Sequence, residues 1–156
     1  AEKLLIRKIE SGEALEKFCN ALKYGNSEVV EQSLNNYLKR TISIRDTFVK
    51  KQMKENFYHG ILLGILGFQQ NWSVSSNKES GDGYSDILIE TEDQETGIII
   101  EIKYAETGNL EAVSEEALKQ IEDRRYEEQL LEEGVEHILK YGIAFYKKKC
   151  RVMTVK

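Results

Sequence analysis

Two apolar, strand-like segments joined by a short polar turn constrain the fold of this chain more than any other feature of its sequence. The first segment is 84–89 and the second is 97–103. The residues at 92–97 between them carry the signal of a tight turn, so the two segments are predicted to pair as a hairpin. The symmetry of the segments centres that hairpin on Asp93 and Gln94.

Three charged residues interrupt these apolar strands. A hairpin with that centre places Asp86 directly opposite Glu101, with Cβ atoms about 5 Å apart. Because side chains alternate along a strand, Lys103 then shares a face with Glu101. Two carboxylates at about 4 Å repel by roughly 4 kcal/mol if the effective dielectric constant is near 20. The pattern therefore predicts a positive group beside the pair.

Lys103 is one candidate for that positive group, and Mg²⁺ or Mn²⁺ is another, since hard cations prefer oxygen ligands. The backbone carbonyl of Ile102 would supply a further ligand. A bound cation would polarise a phosphate and lower the pKa of a bound water, which Lys103 would orient or deprotonate. The spacing alone leaves one alternative open. Antiparallel sheets commonly alternate apolar and charged residues, so the trio would also suit the surface of a half-exposed hairpin.

The remaining hydrophobic patterns predict an α/β fold. Helix signals fill the first 40 residues, with caps at Ser11 and Ser27 and an end near Gly25. A third helix is predicted over 45–68, and its glycine face is expected to press on a sheet or another helix. The other predicted elements are a strand at 72–75, the two hairpin strands, one long helix over 110–133, and closing strands at 142–146 and 150–155.

This order of elements predicts two parts. Residues 44–156 form the domain, with a helix, a three-stranded meander, a helix and two further strands. Residues 1–43 form an N-terminal helical arm, which we expect to dock on something else or to be the end of a larger protein. The chain has 156 residues, which suits one domain with an appended arm.

The composition limits which binding partners and which cellular compartment are expected for this chain. A net charge of −5 argues against an extended coat on nucleic acid but allows a local basic groove. The lysines at 50–54 and 147–151 are expected to be solvated faces or turns. No apolar run approaches the roughly 20 residues of a membrane span, and no signal peptide is visible. Cys19 and Cys150 are too few for a disulfide framework, so we expect a cytoplasmic protein. Since no apolar run is long enough to span a membrane, we expect no membrane partner.

An ordered set of motifs surrounds the charged trio. It consists of Phe57-Tyr58-His59-Gly60, the approach at 79–87 that ends in Asp86-Ile87, the run Glu101-Ile102-Lys103, Gln120, and 140–145. The set resembles the PD-(D/E)xK nuclease superfamily. Over about 48–155 it is similar to the nuclease-like domain that lies C-terminal to an AAA-ATPase-like domain in bacterial proteins.

The resemblance implies a restriction-endonuclease-like core and metal-dependent hydrolysis of nucleic acid, with DNA as the expected substrate. It implies Asp86 and Glu101 as ligands of Mg²⁺ or Mn²⁺, and Lys103 as the catalytic lysine. Ser85 stands where the superfamily name has proline, a position that the superfamily keeps loosely. The chain contains no Gly-x-x-x-x-Gly-Lys-Ser/Thr loop, so an ATPase-like partner would be missing from it.

Two residues of the third helix are candidates for supporting roles. Glu55 and His59 are spaced i, i+4, and Leu62 and Leu66 continue the same face. In the superfamily the first core helix often supplies an acidic residue, which makes Glu55 a candidate metal ligand. His59 matches the motif and would bind phosphate or tune the site. The alternatives are a surface glutamate and a hydrogen-bonded core histidine.

Three residues of the long helix complete the set of candidates. Gln120 falls on the core-facing stripe and resembles the glutamine that some superfamily members place beside the catalytic lysine. Arg124 would bind phosphate or pair with Glu128. Tyr126 resembles the tyrosine that follows that glutamine in the superfamily, although it lies at a different helical angle.

Two other functions remain open. One is a non-catalytic module that binds nucleic acid or protein and is attached to an ATPase-like domain; the acidic charge and the helical arm favour it. The other is an oligomerisation domain for a missing ATPase, which would make the protein a homo-oligomer. The intact Asp–Glu–Lys set favours catalysis, since a binding module has no need of it.

Overall fold

A mixed β-sheet lies at the centre of the protein. The computed structural model describes residues 2–41, 51–78, 84–123 and 126–155. The strands are β1 (Ser73–Lys78), β2 (Tyr84–Glu90), β3 (Thr96–Tyr104), β4 (His137–Tyr146) and β5 (Lys149–Val155). They lie in the order β1-β2-β3-β4-β5. All neighbouring strands are antiparallel except the parallel pair β3 and β4.

Helices cover both faces of this sheet. They are α1 (Glu2–Tyr24), α2 (Ser27–Thr41), α3 (Lys51–Leu66), α4 (Leu110–Asp123) and α5 (Tyr126–Glu132). Parallel neighbours cannot be joined by a tight turn, and α4 and α5 form the crossover between β3 and β4. The predicted α/β class and the predicted order of strands are confirmed. Among the described residues, no helix is both long and apolar enough to cross a bilayer.

The sheet separates two hydrophobic cores. The larger core joins one face of the sheet to α1, α2 and α3, and it includes Ile87 and Ile100 from the central strands. The smaller core joins the other face to α4 and α5, and it includes Leu88 and Ile99. Since side chains alternate along β2 and β3, Asp86, Glu101 and Lys103 belong to the α4 face.

A glycine lets α4 approach the sheet closely. A Cβ atom on Gly142 of β4 would lie 2.3 Å from the carbonyl oxygen of Ser114 and 2.8 Å from the amide nitrogen of Leu118. Only a residue without a side chain fits beneath the helix there. Gly142 pairs with Glu101 of β3, so the closest approach of α4 occurs beside the candidate site.

The predicted caps place the start of α2 to within one residue but miss the start of α1. The helix expected to begin at Ser11 begins at Glu2, and Ser11 lies inside it. Asn26 rather than Ser27 caps α2, because its side-chain oxygen accepts a hydrogen bond from the Val29 amide at 3.3 Å. Gly25 does end α1, with a φ of 77°.

The expected packing of the glycine face of α3 is wrong. Gly60 and Gly64 are exposed, and a Cβ atom on either would meet nothing within 4 Å. The buried side of α3 carries larger residues, among them Tyr58, Leu62 and Leu66. At about 100° per residue, that stripe turns the glycines to the outside. The predicted stretch 45–50 lies outside the described residues.

Two further boundaries differ from the prediction. The helix expected to run over 110–133 is described as α4 and α5, and residues 124 and 125 between them lie outside the described part. β4 begins at His137 instead of 142, because 137–141 pairs with β3. The charged residue Lys140 lies within that stretch and interrupts the apolar pattern by which a strand would be predicted. Its ammonium group is held by Glu122 at 3.0 Å and Glu127 at 2.9 Å.

The two N-terminal helices pack on the sheet of their own chain. Tyr141 of β4 donates a hydrogen bond to the carbonyl oxygen of Leu22 at 2.6 Å. The amides of Cys150 and Val152 donate to Asn35 at 2.7 Å and to Glu31 at 2.9 Å, so α2 covers the edge of β5. The predicted division between 43 and 44 falls outside the described residues and stays a prediction.

Candidate active site

The β2–β3 hairpin is built as the sequence predicts. Its register pairs Asp86 with Glu101, which places the two carboxylates side by side on one face. Asp93 fixes the turn, because its Oδ1 accepts hydrogen bonds from the Glu95 amide at 2.9 Å and the Thr96 amide at 3.1 Å. Gln94 adopts the left-handed region with a φ of 61°. A slip of one residue would move every side chain to the other face, so this turn determines the site.

Both carboxylates are deeply buried. Asp86 is 0% exposed and Glu101 is 1% exposed. Removing two charges from water costs several kcal/mol per ion unless partners compensate. A surface cluster on a half-exposed hairpin, the alternative that the spacing allowed, does not fit this burial. The pair is therefore a candidate for an internal cation site.

Lys103 lies beside the pair with its side chain 12% exposed. It shares the α4 face of β3 with Glu101. Its Nζ is 4.0 Å from the Oε1 of Glu116 on α4, whose side chain is largely exposed. A pair at this distance with a largely exposed carboxylate is weak.

Gln120 belongs to the same part of α4. It is half-buried and follows Glu116 by one helical turn, which puts both residues on one side of the helix. The contact between Gln120 and Lys103 that the superfamily suggests stays a prediction. Arg124 lies outside the described residues. Tyr126 is described as the first residue of α5, and its side chain is not among the described ones.

Glu55 and His59 reach the two site strands from the opposite face. The Oε1 of Glu55 accepts a hydrogen bond from the amide of Tyr104 at 3.2 Å, one residue after Lys103. His59 forms a hydrogen bond with the backbone of Asp86. Their predicted position on the buried stripe of α3 is confirmed, since both are buried. They hold the backbone on which the charged trio is mounted, while a role as metal ligand stays a prediction for Glu55.

The pKa values of these two residues reflect their burial. Burial raises the pKa of the Glu55 carboxyl, and the hydrogen bond from Tyr104 and the charge of Lys103 oppose that rise. Burial lowers the pKa of the His59 imidazole, and the hydrogen bond with Asp86 opposes that fall. Both shifts favour the uncharged form of a group enclosed by protein.

The donor set suits a hard divalent cation. Among the described residues, no three side chains of His, Cys, Asp or Glu are grouped around one metal position. Mg²⁺ does not require such a cage, because proteins usually hold it with one or two carboxylates while water and phosphate oxygens complete the shell. The Asp86–Glu101 pair fits that chemistry. Ile102 is buried and pairs with Ile143, and its carbonyl as a ligand stays a prediction.

A comparison with protein families assigns the chain. The family model of the PD-(D/E)XK nuclease superfamily matches residues 53–155. The chain belongs to the PD-(D/E)XK nuclease superfamily. No curated protein and no solved structure matches it.

Membership of the PD-(D/E)XK superfamily agrees with the architecture. The matched span contains the whole sheet, α4 and α5, and this arrangement is consistent with a restriction-endonuclease-like core. α1 and α2 lie outside the matched span, although they complete its larger core. The superfamily supports a nuclease activity and a nucleic-acid substrate.

Sequence reasoning did not predict two contacts of α4 beside this PD-(D/E)XK site. Gly142 belongs to the motif at 140–145, but its contact with α4 was not predicted, although an isolated glycine inside an apolar strand is a recognised sign of close backbone approach. The other contact is that of Glu116 with Lys103, for which the sequence offers no signal, because acidic residues are common on the outer face of any helix. Gly142 matters more, because it lets α4 lie close to the sheet beside Glu101.

Proposed function

We propose that this protein hydrolyses phosphodiester bonds of nucleic acid, with DNA as its substrate, in a reaction that requires a divalent cation. One observation carries the proposal. Asp86 pairs with Glu101 on adjacent strands, both are buried, and Lys103 follows on the same face. Two buried carboxylates need a positive partner, and a catalytic role in a nuclease fold would explain why the protein buries them.

Each residue of the trio has a distinct role in this proposal. Asp86 and Glu101 would hold the cation, Mg²⁺ or Mn²⁺. When bound, it would supply activation of a water and of the phosphate. Lys103 orients that water or stabilises the negative charge that develops on the phosphate. Gln120 is proposed to position Lys103, and Glu55 to hold the end of β3.

Cleavage assays with purified protein test this proposal. Single-stranded DNA, duplex DNA and RNA are incubated with Mg²⁺, with Mn²⁺ or with a chelator. We expect cleavage that the chelator abolishes. Asp86→Asn, Glu101→Gln and Lys103→Ala should each lower the rate by about 10²- to 10⁴-fold, the usual contribution of one positioned group. Intact substrates under every condition, or an Asp86→Asn protein as active as wild type, would overturn the proposal.

Glu90→Gln is the matched control. Glu90 lies on the same face of β2 as Asp86 but at the far end of the strand, opposite Gly97. A hydrogen bond with Glu133 raises the pKa of Glu90, so this carboxyl has its own partner away from the trio. The variant should retain the wild-type rate. Circular dichroism of all variants separates loss of chemistry from loss of folding.

A non-catalytic module attached to an AAA-ATPase-like domain is the second candidate function. The outer face of α3 and the turn that follows it favour it, because Met53 and Phe57 on α3 and Phe68 in the turn are exposed large apolar side chains. Calorimetric titration with Mn²⁺ distinguishes the two candidates. The nuclease proposal expects binding that Asp86→Asn removes, whereas a module expects no binding by either protein. Light scattering on the same samples measures whether the chain forms a homo-oligomer.

We also propose a reducing, cytoplasmic setting. Cys19 and Cys150 are free thiols buried in the larger core. Burial raises the pKa of Cys19 to about 11, which keeps this thiol protonated and unreactive. Such cysteines are typical of proteins that fold without disulfides.

A further inference from the structure

A cluster of lysines lies at the end of the sheet that carries the charged trio. We call it the basic end, and its described members are Lys51, Lys54, Lys147, Lys148 and Lys149. The first two belong to the beginning of α3, Lys147 and Lys148 form the turn between β4 and β5, and Lys149 begins β5. The fold therefore joins two groups of lysines that are far apart in the sequence of a chain with a net charge of −5.

Direct contacts hold the two groups together. The hydroxyl of Tyr58 on α3 donates a hydrogen bond to the carbonyl oxygen of Lys147 at 2.6 Å. The ring of Tyr58 also stacks on Phe145 of β4, with centroids 4.4 Å apart. These contacts are buried and fix the position of the β4–β5 turn relative to α3.

Two stacked tyrosines connect the basic end to the candidate site. Tyr104 follows Lys103 in β3 and stacks on Tyr146 with ring centroids 5.9 Å apart. The Nζ of Lys54 lies 4.6 Å from the centroid of Tyr104, and the Nζ of Lys147 lies 5.2 Å from the centroid of Tyr146. Cation–π contacts at these distances hold ammonium groups in place while leaving them hydrated. Two ammonium groups are thus ordered at the end of β3; Tyr104, which contacts Tyr58 of α3, and Lys54 lie on the face of the sheet opposite to the trio.

The surrounding charges favour approach from this side. Glu111, Glu115 and Glu116 are exposed on α4, so the surface over that helix repels a polyanion. Two carboxylates are near these lysines: the buried Glu55 lies near Lys51 and Lys103, and the exposed Glu106 lies close to Glu55. The five described lysines of the basic end outnumber these two carboxylates.

We propose that the basic end holds the phosphodiester backbone of the substrate beside the Asp86–Glu101 pair. The inference rests on the proposed function and adds the direction from which the strand enters. Lys54 and Lys147 contact phosphates, and the flanking lysines of the turn extend the track. Lysine ammonium groups on flexible side chains contact phosphates and not bases. We therefore expect binding that does not depend on the nucleotide sequence.

The salt dependence of DNA binding tests this inference without relying on cleavage. Fluorescence anisotropy is measured with a labelled duplex in chelator, for wild type and variants, from about 50 to about 200 mM salt. Lys54→Ala and Lys147→Ala should each weaken binding and reduce the slope of log K against log salt concentration by about 1. The loss should be equal for two duplexes of unrelated sequence.

Lys17→Ala is the matched control, since Lys17 is an exposed lysine of α1, away from the basic end. It should bind with the wild-type slope. The inference is overturned if Lys54→Ala and Lys147→Ala also keep that slope, or if the wild-type protein does not bind the duplex. Either result is compatible with metal-dependent cleavage of another nucleic acid. Conversely, binding that follows these expectations without any cleavage would overturn the proposed function alone.

Discussion

Single residues decide whether the two carboxylates meet. The pairing of Asp86 with Glu101 depends on the turn, and the turn depends on hydrogen bonds to Asp93. The hydrogen bond from the Thr91 hydroxyl, followed by that from the Glu95 amide, holds the pKa of Asp93 well below its usual value. Lys23 of α1 forms an ion pair with the same carboxylate at 3.2 Å. A residue of the loop thus controls the geometry of a site that it does not touch.

Asp93 is expected to make stability sensitive to acid. Because its pKa is lower in the folded than in the unfolded chain, its contribution is present above the unfolded value of 3.8 and is lost as the pH falls below it. Asp93→Asn keeps the acceptor oxygen but cannot titrate. Its melting temperature should therefore fall less than that of wild type between about pH 4 and about pH 2, the range below the unfolded pKa in which the lowered pKa is lost as a source of stability. Circular dichroism measures both, with Glu95→Gln as an exposed control, and equal acid sensitivity of the two proteins would contradict the expectation.

At the scale of elements, α4 is the part whose placement matters most. It covers the face of the sheet that carries the trio, and it brings Glu116 within 4.0 Å of Lys103. The helix lies this close because Gly142 offers no side chain to hold it away. α3 supports the same strands from the other face through Glu55 and His59.

Gly142→Ala should therefore move α4 and weaken the site. Its Cβ would lie 2.3 Å from a backbone oxygen that has no flexible end to yield. Overpacking of this kind costs about 1–3 kcal/mol in the free energy of unfolding, and we expect a loss of cleavage as well. Gly60→Ala is the contrasting variant, because its Cβ meets nothing within 4 Å in an exposed stretch of helix. It should stabilise the protein by about 0.5–1 kcal/mol. Chemical denaturation measures both, and a Gly142→Ala protein as stable as wild type would contradict the packing argument.

The sequence predicts local elements better than long-range ones. The hairpin register follows from one turn and from alternation, so the opposition of Asp86 and Glu101 could be predicted. The beginning of β4 could not be predicted from the sequence. Lys140 is buried there as a charged residue because it forms ion pairs with Glu122 of α4 and Glu127 of α5. The predicted packing of the glycines of α3 is wrong. The cost of glycine in a helix suggests close packing, but the face of a helix that is buried depends on all the apolar residues along it.

At the scale of the whole molecule, the N-terminal helices share a core with the sheet. Leu22, Val30 and Leu34 belong to the same cluster as Ile87 and Ile100. Helices that dock on their own sheet in this way should unfold together with it. Distribution of charge is the second global property, with acidic residues exposed on α4 and lysines gathered at the basic end.

Leu22→Ala tests this shared core. Leu22 is fully buried in α1, outside the span that matches the superfamily, and truncating such a side chain usually costs about 2–5 kcal/mol. We expect one cooperative transition, shifted as a whole, when tertiary and secondary structure are monitored during denaturation. Tyr24→Ala is the control in the same helix, since Tyr24 is 67% exposed and should change stability by about 0.5 kcal/mol or less. Two separate transitions would show that α1 folds independently of the sheet.

The tight turn at Asp93 also bears on the order in which the site assembles. The strands that carry Asp86 and Glu101 are neighbours along the chain, and hairpins of this kind close in about 1–10 μs. The pairing of β3 with β4 must wait for the α4–α5 crossover, since contacts between distant segments carry a larger loop-closure cost. We expect the two carboxylates to meet while water still surrounds them and the sheet to enclose them afterwards. Their mutual repulsion would then be weakest at the stage when they first come together.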